Sequence, residues 1–321
     1  MSASPSRHLV DPQLGPLLDA WPTMSISAET LQAMRERSLP IPVDPTIAER
    51  VSVTARTAPG PEGAPEVAVF IYRPKAATGV LPCIFHIHGG GYIGGSAASM
   101  EGLIAPTVDK LGCALVTVEY RLAPETVFPG AVEDCYAALA WVVANAAELQ
   151  LDTARIGVMG ESAGGGLAAA LALLVRDRGE YSFAFQTLIY PMIDDRTCVH
   201  PEPHPYVGEF IWTPPSNRFG WASLLGVEPG SPGVSPYAAA ARAEDLAGLP
   251  PTFISTGSLD LFLEEDLEYA RRLMRAGVPT ELHVYPGGFH AFDVAPDADV
   301  SAAARRDKMA YLNRALFPAT V

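Results

Sequence analysis

Cysteine is scarce in this chain. The four that occur, Cys83, Cys113, Cys135 and Cys198, form no CxxC pair, so the spacing that paired-thiol chemistry needs is missing. Cys83 and Cys113 stand in apolar, strand-like runs, where a buried free thiol is the expected state. A reducing, cytoplasmic setting is therefore expected. Positive charge is scarce too: 22 Lys and Arg against 36 Asp and Glu leave a net charge of −14. That is the wrong sign for a surface meeting nucleic-acid phosphates. No apolar run reaches the roughly 18 residues of a membrane helix. The opening stretch "MSASPSRHLVDPQLGPLLDAWP" holds no apolar segment of signal-peptide length. Neither an internal repeat nor a low-complexity tract is present. The expected partners exclude nucleic acid and membrane.

What is present suits a large α/β core. Hydrophobic residues make up 49% of the 321 and charged residues 18%, too apolar a balance for disorder. "RVSVTAR" (50–56) and "EVAVFIYRP" (66–74) alternate like an antiparallel pair. The pattern then changes to continuous apolar runs at 81–88, 113–120, 155–160, 184–192 and 251–257, which read as parallel strands buried on both faces. Helical stretches separate them, at about 98–111, 130–147, 163–178, 264–276 and 300–316. This alternation predicts a doubly wound, mostly parallel sheet with helices on both faces. Ligands of such sheets bind beyond the C-terminal strand ends. Residues 1–49 and 195–245 fall outside the pattern and are expected to form a helical cap over those ends, with 50–321 as the core.

Chemistry concentrates at three strand ends. "IGVMGESAGGGLAAALALL" runs from strand into helix with Gly160-Glu161-Ser162-Ala163-Gly164 at the junction. This G-x-S-x-G spacing lifts a serine hydroxyl above the sheet on a strained turn; its bland alternative is a glycine-rich packing turn. A serine attacks only when a base takes its proton and a third group orients that base. Of seven histidines, His290 follows the last strand across a Gly-Gly loop and is the base expected from position. His200 and His204 sit among prolines that oppose the helix a metal pair would need. His86 and His88 lack a third ligand, so no metal is expected. The orienting acid should lie between serine and histidine in the chain. Asp260, just past a strand end, fits best, with Asp194 and Asp195 as alternatives. Glu264, Glu265 and Asp266 read as helix N-terminal charge.

"FHIHGGGYIGGS" (85–96) ends a strand in bare backbone, at a cost of about 0.5–1 kcal/mol per glycine relative to alanine. Attack by Ser162 on a carbonyl creates an oxyanion that needs N–H donors about 2.7–3.1 Å away. Gly90 and Gly91 are the expected donors, with the N–H of Ala163. His88 is expected to anchor the loop.

With these residues placed, the chain resembles the hormone-sensitive-lipase-like esterases of the α/β-hydrolase fold. The resemblance runs from about residue 80 to the end. It rests on "HGGG" (88–91), "YRLAPE" (120–125) with "FP" (128–129), "GESAGG" (160–165), "LPP" (249–251), "YARRL" (269–273), "AGV" (276–278) and "GFH" (288–290). It implies hydrolysis of short- to medium-chain carboxylic esters by Ser162, His290 and Asp260 through an acyl-enzyme, without a cofactor. It also implies that Arg121 and Glu125 are ion-paired to fix their loop. An amide, lactone or carbamate suits the same triad. A non-catalytic receptor, as the plant gibberellin receptors are within that family, would be expected to lack a reacting residue. The chain departs from the pattern where Leu261-Phe262 replace Pro-Leu after the aspartate, where Ala291 follows the histidine, and where Gly165-Gly166 replace Gly-Asn. Trp21, Tyr206, Phe210, Trp212, Phe219 and Trp221 make the cap aromatic. Most are expected to pack it onto the sheet, with Phe210 and Trp212 facing substrate. The open edge of "TELHVYP" suits a homodimer.

Overall fold

The computed structural model describes residues 5–21, 23, 25–36 and 43–318. The expected N-terminal segment 1–49 thus includes residues 1–4, 22, 24 and 37–42, which lie outside the described residues. Eight strands form one sheet: β1 (Val51–Ala58), β2 (Val67–Pro74), β3 (Leu81–Ile87), β4 (Ala114–Glu119), β5 (Leu151–Glu161), β6 (Gln186–Ile189), β7 (Thr252–Gly257) and β8 (Thr280–Tyr285). Their spatial order is β1-β2-β4-β3-β5-β6-β7-β8. β1–β2 and β2–β4 pair antiparallel, and every pairing from β4 onward is parallel.

The helices are α1 (Gly15–Ala20), α2 (Leu31–Glu36), α3 (Pro45–Ala48), α4 (Glu101–Leu111), α5 (Gly130–Ala144), α6 (Ala146–Leu149), α7 (Ala163–Arg178), α8 (Pro214–Leu225), α9 (Leu263–Arg275) and α10 (Asp299–Leu316). Successive strand side chains point to opposite faces, and β3 divides accordingly. Cys83, Phe85 and Ile87 join an apolar cluster with α5, α7 and α9, while Ile84 joins another with α4 and α10. Both faces are covered, which is why these strands read as continuous apolar runs.

The sheet order reverses at β3. β4 lies to one side of it and β5 to the other, so the loops leaving β3 and β5 diverge from adjacent strand ends and leave a crevice between them. The loop after β3 carries the glycines and the loop after β5 carries Ser162. β7 and β8 lead to Asp260 and His290. On this rim the N-terminal segment is tied down by Asp11 N–H to Gly287 O, by Ile26 N–H to Ser216 Oγ of α8 and by Arg35 to Ile93 O, whereas α3 packs against β1 and α4. Trp221 of α8 is fully buried, and Ile26 and Leu31 join the main core cluster. Not every aromatic expected to pack there does so: Trp21 and Tyr206 are exposed, at 48% and 44%. Trp21 closes the short helix α1, and Tyr206 sits in a proline-flanked loop, its ring edge-on to those of His8 and His204.

Candidate active site

Ser162 stands between β5 and α7 with φ +56°, a strained conformation for a residue bearing a Cβ. Its neighbours show why they are glycines. A Cβ at Gly160 would lie 2.2 Å from the Gly164 carbonyl oxygen, and one at Gly164 would lie 2.1 Å from that of Ile87. The turn is held by the Ser162 N–H donating to Ile189 O, while Ser162 O accepts from Gly166 and Met192 N–H, all at 2.9 Å.

The loops after β5, β7 and β8 bring three distant side chains together. His290 Nε2 lies 2.9 Å from Ser162 Oγ, and His290 Nδ1 lies 2.9 Å from Asp260 Oδ2. A carboxylate only accepts, so Nδ1 carries the proton and the Nε2 lone pair faces the serine O–H. Asp260 is itself held by the Phe262 N–H, which donates to Oδ1 at 3.0 Å. All three side chains are buried, Ser162 the least so at 7% exposure.

The alternative acids are engaged elsewhere. Asp194 pairs with Arg196, and Asp195 binds Arg242 through both oxygens at 2.7 Å. Glu265 and Asp266 correct the sequence expectation of helix-end charge, because they are buried. Glu265 accepts from the N–H groups of Ile193 and Asp194 and from the Thr197 hydroxyl. Burial pushes both carboxyls well above the usual range, and for Asp266 the neighbouring Glu265 and Asp260 add to the effect.

The glycine loop faces Ser162. Gly90 and Gly91 have φ +127° and +63°. A Cβ at Gly90 would lie 2.0 Å from Gly94 O, and one at Gly91 would lie 2.2 Å from Trp212 Cη2. So both reasons for glycine apply, conformation and close approach. Among the described residues, no backbone carbonyl outside helices and strands accepts the N–H of Gly90, Gly91 or Ala163. His88 anchors the loop: its Nδ1–H donates to Gly89 O at 2.8 Å and its ring stacks on Tyr120 at 4.2 Å. The Tyr120 hydroxyl donates to His88 O at 2.8 Å. Burial pushes His88 down to about 4, which keeps it neutral.

Trp212 lies on Gly91 with its ring centroid 6.4 Å from that of His290, and its Nε1–H donates to Asn217 Oδ1 at 3.0 Å. Phe210 sits farther back, against Phe289 at 5.8 Å. Three residues whose contacts sequence reasoning missed complete the surroundings. His86 Nε2–H donates to the Glu161 carboxylate at 2.9 Å and its Nδ1 meets Thr117 Oγ1 at 2.8 Å, tying β3 and β4 to the serine turn. Tyr190, at φ +34°, places its ring 4.9 Å from His290. Arg35 reaches the glycine loop from α2. Among the described residues no group of three or more His, Cys, Asp or Glu could hold a metal ion. A cleft of about 490 Å³ opens between Asp194, Arg242, Tyr269 and Arg272, away from this cluster.

The model of the alpha/beta hydrolase fold family matches residues 84–294. The chain belongs to this family. Within it, this α/β hydrolase falls in the hormone-sensitive-lipase-like branch. It is 33% identical over 317 residues to carboxylesterase NlhH of Mycobacterium tuberculosis, covering 97% of this chain and 98% of that one. To an arylesterase of Saccharolobus solfataricus it is 32% identical over 243 residues, covering 72% and 74%. Among solved structures, a bacterial heroin esterase is similar with a TM-score of 0.88 at 39% identity, covering 97% of this chain and 99% of that one. No helix among the described residues is long and apolar enough to cross a membrane.

Two of the hydrolase's departures from the family pattern have local reasons. Phe262 sets its ring perpendicular to the His290 imidazole, 5.2 Å away. A Cβ at Gly166 would lie 2.0 Å from Met192 O and 2.3 Å from the Tyr92 hydroxyl, which donates to that carbonyl. Ala291 adopts φ +61°, a position glycine would hold without strain.

Proposed function

We propose that Ser162 is the nucleophile of this α/β hydrolase, with His290 as its base and Asp260 as the group that orients the base. The chain is a serine carboxylic ester hydrolase. What supports these roles is one observation, the continuous pair of 2.9 Å contacts from Asp260 through His290 to Ser162.

The reaction follows from this geometry. Ser162 Oγ adds to the ester carbonyl carbon as its proton passes to His290 Nε2. The carbonyl electron pair moves onto oxygen, and the oxyanion is met by the N–H groups of Gly90, Gly91 and Ala163, fixed in place before reaction. Asp260 stabilises the imidazolium. Collapse of the tetrahedral species breaks the bond to the alcohol oxygen, which takes the proton from Nε2 and leaves. Water then adds to the acyl-enzyme, giving its proton to His290. The second collapse returns that proton to Oγ and releases the carboxylic acid.

Short- to medium-chain esters are the proposed substrates, because Trp212 stands over Gly91 and the nucleophile is largely buried. Residues 1–49 and 195–245 act as the cap in this reading. The setting is cytoplasmic, in keeping with free cysteines, and β8, which among the described residues pairs only with β7, offers an edge for a homodimer. The test is hydrolysis of p-nitrophenyl esters from acetate to palmitate by the wild type and Ser162→Ala. Wild-type turnover confined to the shorter chains and lost in the variant is expected. Turnover retained by Ser162→Ala refutes the nucleophile, and a maximum at palmitate refutes the substrate class.

A further inference from the structure

Arg35 belongs to α2, in the N-terminal segment, yet among the described residues its side chain bonds to the loops around the site. Its Nε–H donates to Ile93 O at 2.7 Å, inside the glycine loop. Nη2 donates to Ala123 O at 2.9 Å, and Nη1 and Nη2 grip the two oxygens of Glu125 at 2.7 and 2.8 Å. Arg121, the other charged residue of "YRLAPE", pairs instead with Asp134, so Glu125 takes its partner from outside that stretch. The guanidinium therefore joins three chain segments. Its planar fork makes four bonds at once, two to carbonyls and one to each carboxylate oxygen, more than the three donors of an ammonium can supply.

The contact is placed where it governs donor geometry. Ile93 and Gly94 both donate N–H to Gly90 O, so residues 90–94 form one tight turn. Ile93 O is the turn's exit, held by Arg35. Tyr92 O, one residue earlier, accepts from Ala123 N–H, whose own carbonyl Arg35 also holds. Next to Arg35, Met34 packs so closely on the turn that a Cβ at Gly94 would lie 2.8 Å from its Cε. His88, Tyr92 and Tyr120 hold the loop from the core side; Arg35 holds it from the segment above. That segment is seated by buried Ile26 and Leu31 and by the Ile26 N–H donating to Ser216 Oγ of α8 at 3.0 Å.

We propose that Arg35 is a positioning residue of the hydrolase: it couples the seating of the N-terminal segment to the placement of the Gly90 and Gly91 amides. The inference rests on reading those amides as the oxyanion donors. Arg35 touches no reacting atom and acts only through the turn. A displaced donor weakens binding of the transition state and leaves binding of the ground-state ester nearly intact. Loss of the brace therefore appears in kcat and not in KM.

The experiment compares wild type, Arg35→Ala, Arg35→Lys and Glu125→Gln on p-nitrophenyl butyrate. Rates are expressed per site titrated with a fluorophosphonate, which removes any loss of folded protein. The inhibition constant of an alkyl trifluoromethyl ketone, whose hemiketal with Ser162 places an oxyanion in the same position, is measured alongside. Arg35→Ala should lower kcat about 10- to 100-fold with KM within about twofold, and weaken the ketone by a similar factor. Arg35→Lys should recover only part of this. Glu125→Gln, which keeps the bonds to Ile93 and Ala123, should stay within about threefold of wild type. Should Arg35→Ala fail to fold, Arg35→Lys against Glu125→Gln carries the same comparison. Variants that lose thermal stability while kcat and the ketone constant stay unchanged overturn the proposal. So does a Glu125→Gln loss as large as that of Arg35→Lys. Failure of the wild type to react with the fluorophosphonate strikes instead at Ser162, and the brace falls with it.

Discussion

A side chain at position 91 would collide with the indole of Trp212, its Cβ falling 2.2 Å from Cη2, and would strain a backbone at φ +63°. The same residue supplies one of the three amides read as oxyanion donors. Gly91→Val is therefore expected to lower kcat by about 10²–10³-fold per titrated site, the cost of losing one such donor. An unchanged kcat removes Gly91 from that role. Single residues of this sort are legible in sequence because their constraint is local. Glycine flanking Ser162 and ending β3 signals a turn or a close approach whatever the rest of the chain does. The partners of Arg35, Glu161 and Asp195 were not legible. Each meets its partner across 90, 75 or 47 residues, and nothing in the local pattern records which strand end lies beside which. For the same reason the expected ion pairing of Arg121 and Glu125 occurs, but with Asp134 and Arg35.

Among the elements, α9 shows where pattern reading stops. Its acidic first turn, Glu264, Glu265 and Asp266, describes an ordinary helix N-terminus. In the fold that first turn is driven under residues 193–197, and Asp266 is fully buried. Its carboxyl is held well above its ordinary 3.8, first by burial and then by Glu265 and Asp260. The sign follows from linkage. Above about pH 4 the unfolded chain releases this proton while the folded chain keeps it, so folding requires proton uptake and stability falls as pH rises. Below that range both states hold the proton and the penalty vanishes. Asp266→Asn, uncharged at every pH, should raise the melting temperature more at pH 8 than at pH 4. An equal effect at both contradicts a buried, protonated Asp266.

In the whole molecule, catalysis is arranged by strand order. β3 and β5 are neighbours where the order reverses, so the glycine loop and the serine turn leave adjacent strand ends, and β7 and β8 deliver Asp260 and His290 to the same rim. Continuous apolar runs announce the parallel sheet, because strands covered on both faces leave no polar side to alternate. They do not announce which long segments cover the rim, or that the N-terminal one reaches the glycine loop through Arg35. The most direct test of the assembled site is covalent. After reaction with a fluorophosphonate and proteolysis, mass spectrometry should locate one phosphonyl adduct on Ser162, abolished by prior heat unfolding and strongly slowed in His290→Ala. An adduct on another residue, or labelling that survives unfolding, contradicts an activated serine at this position.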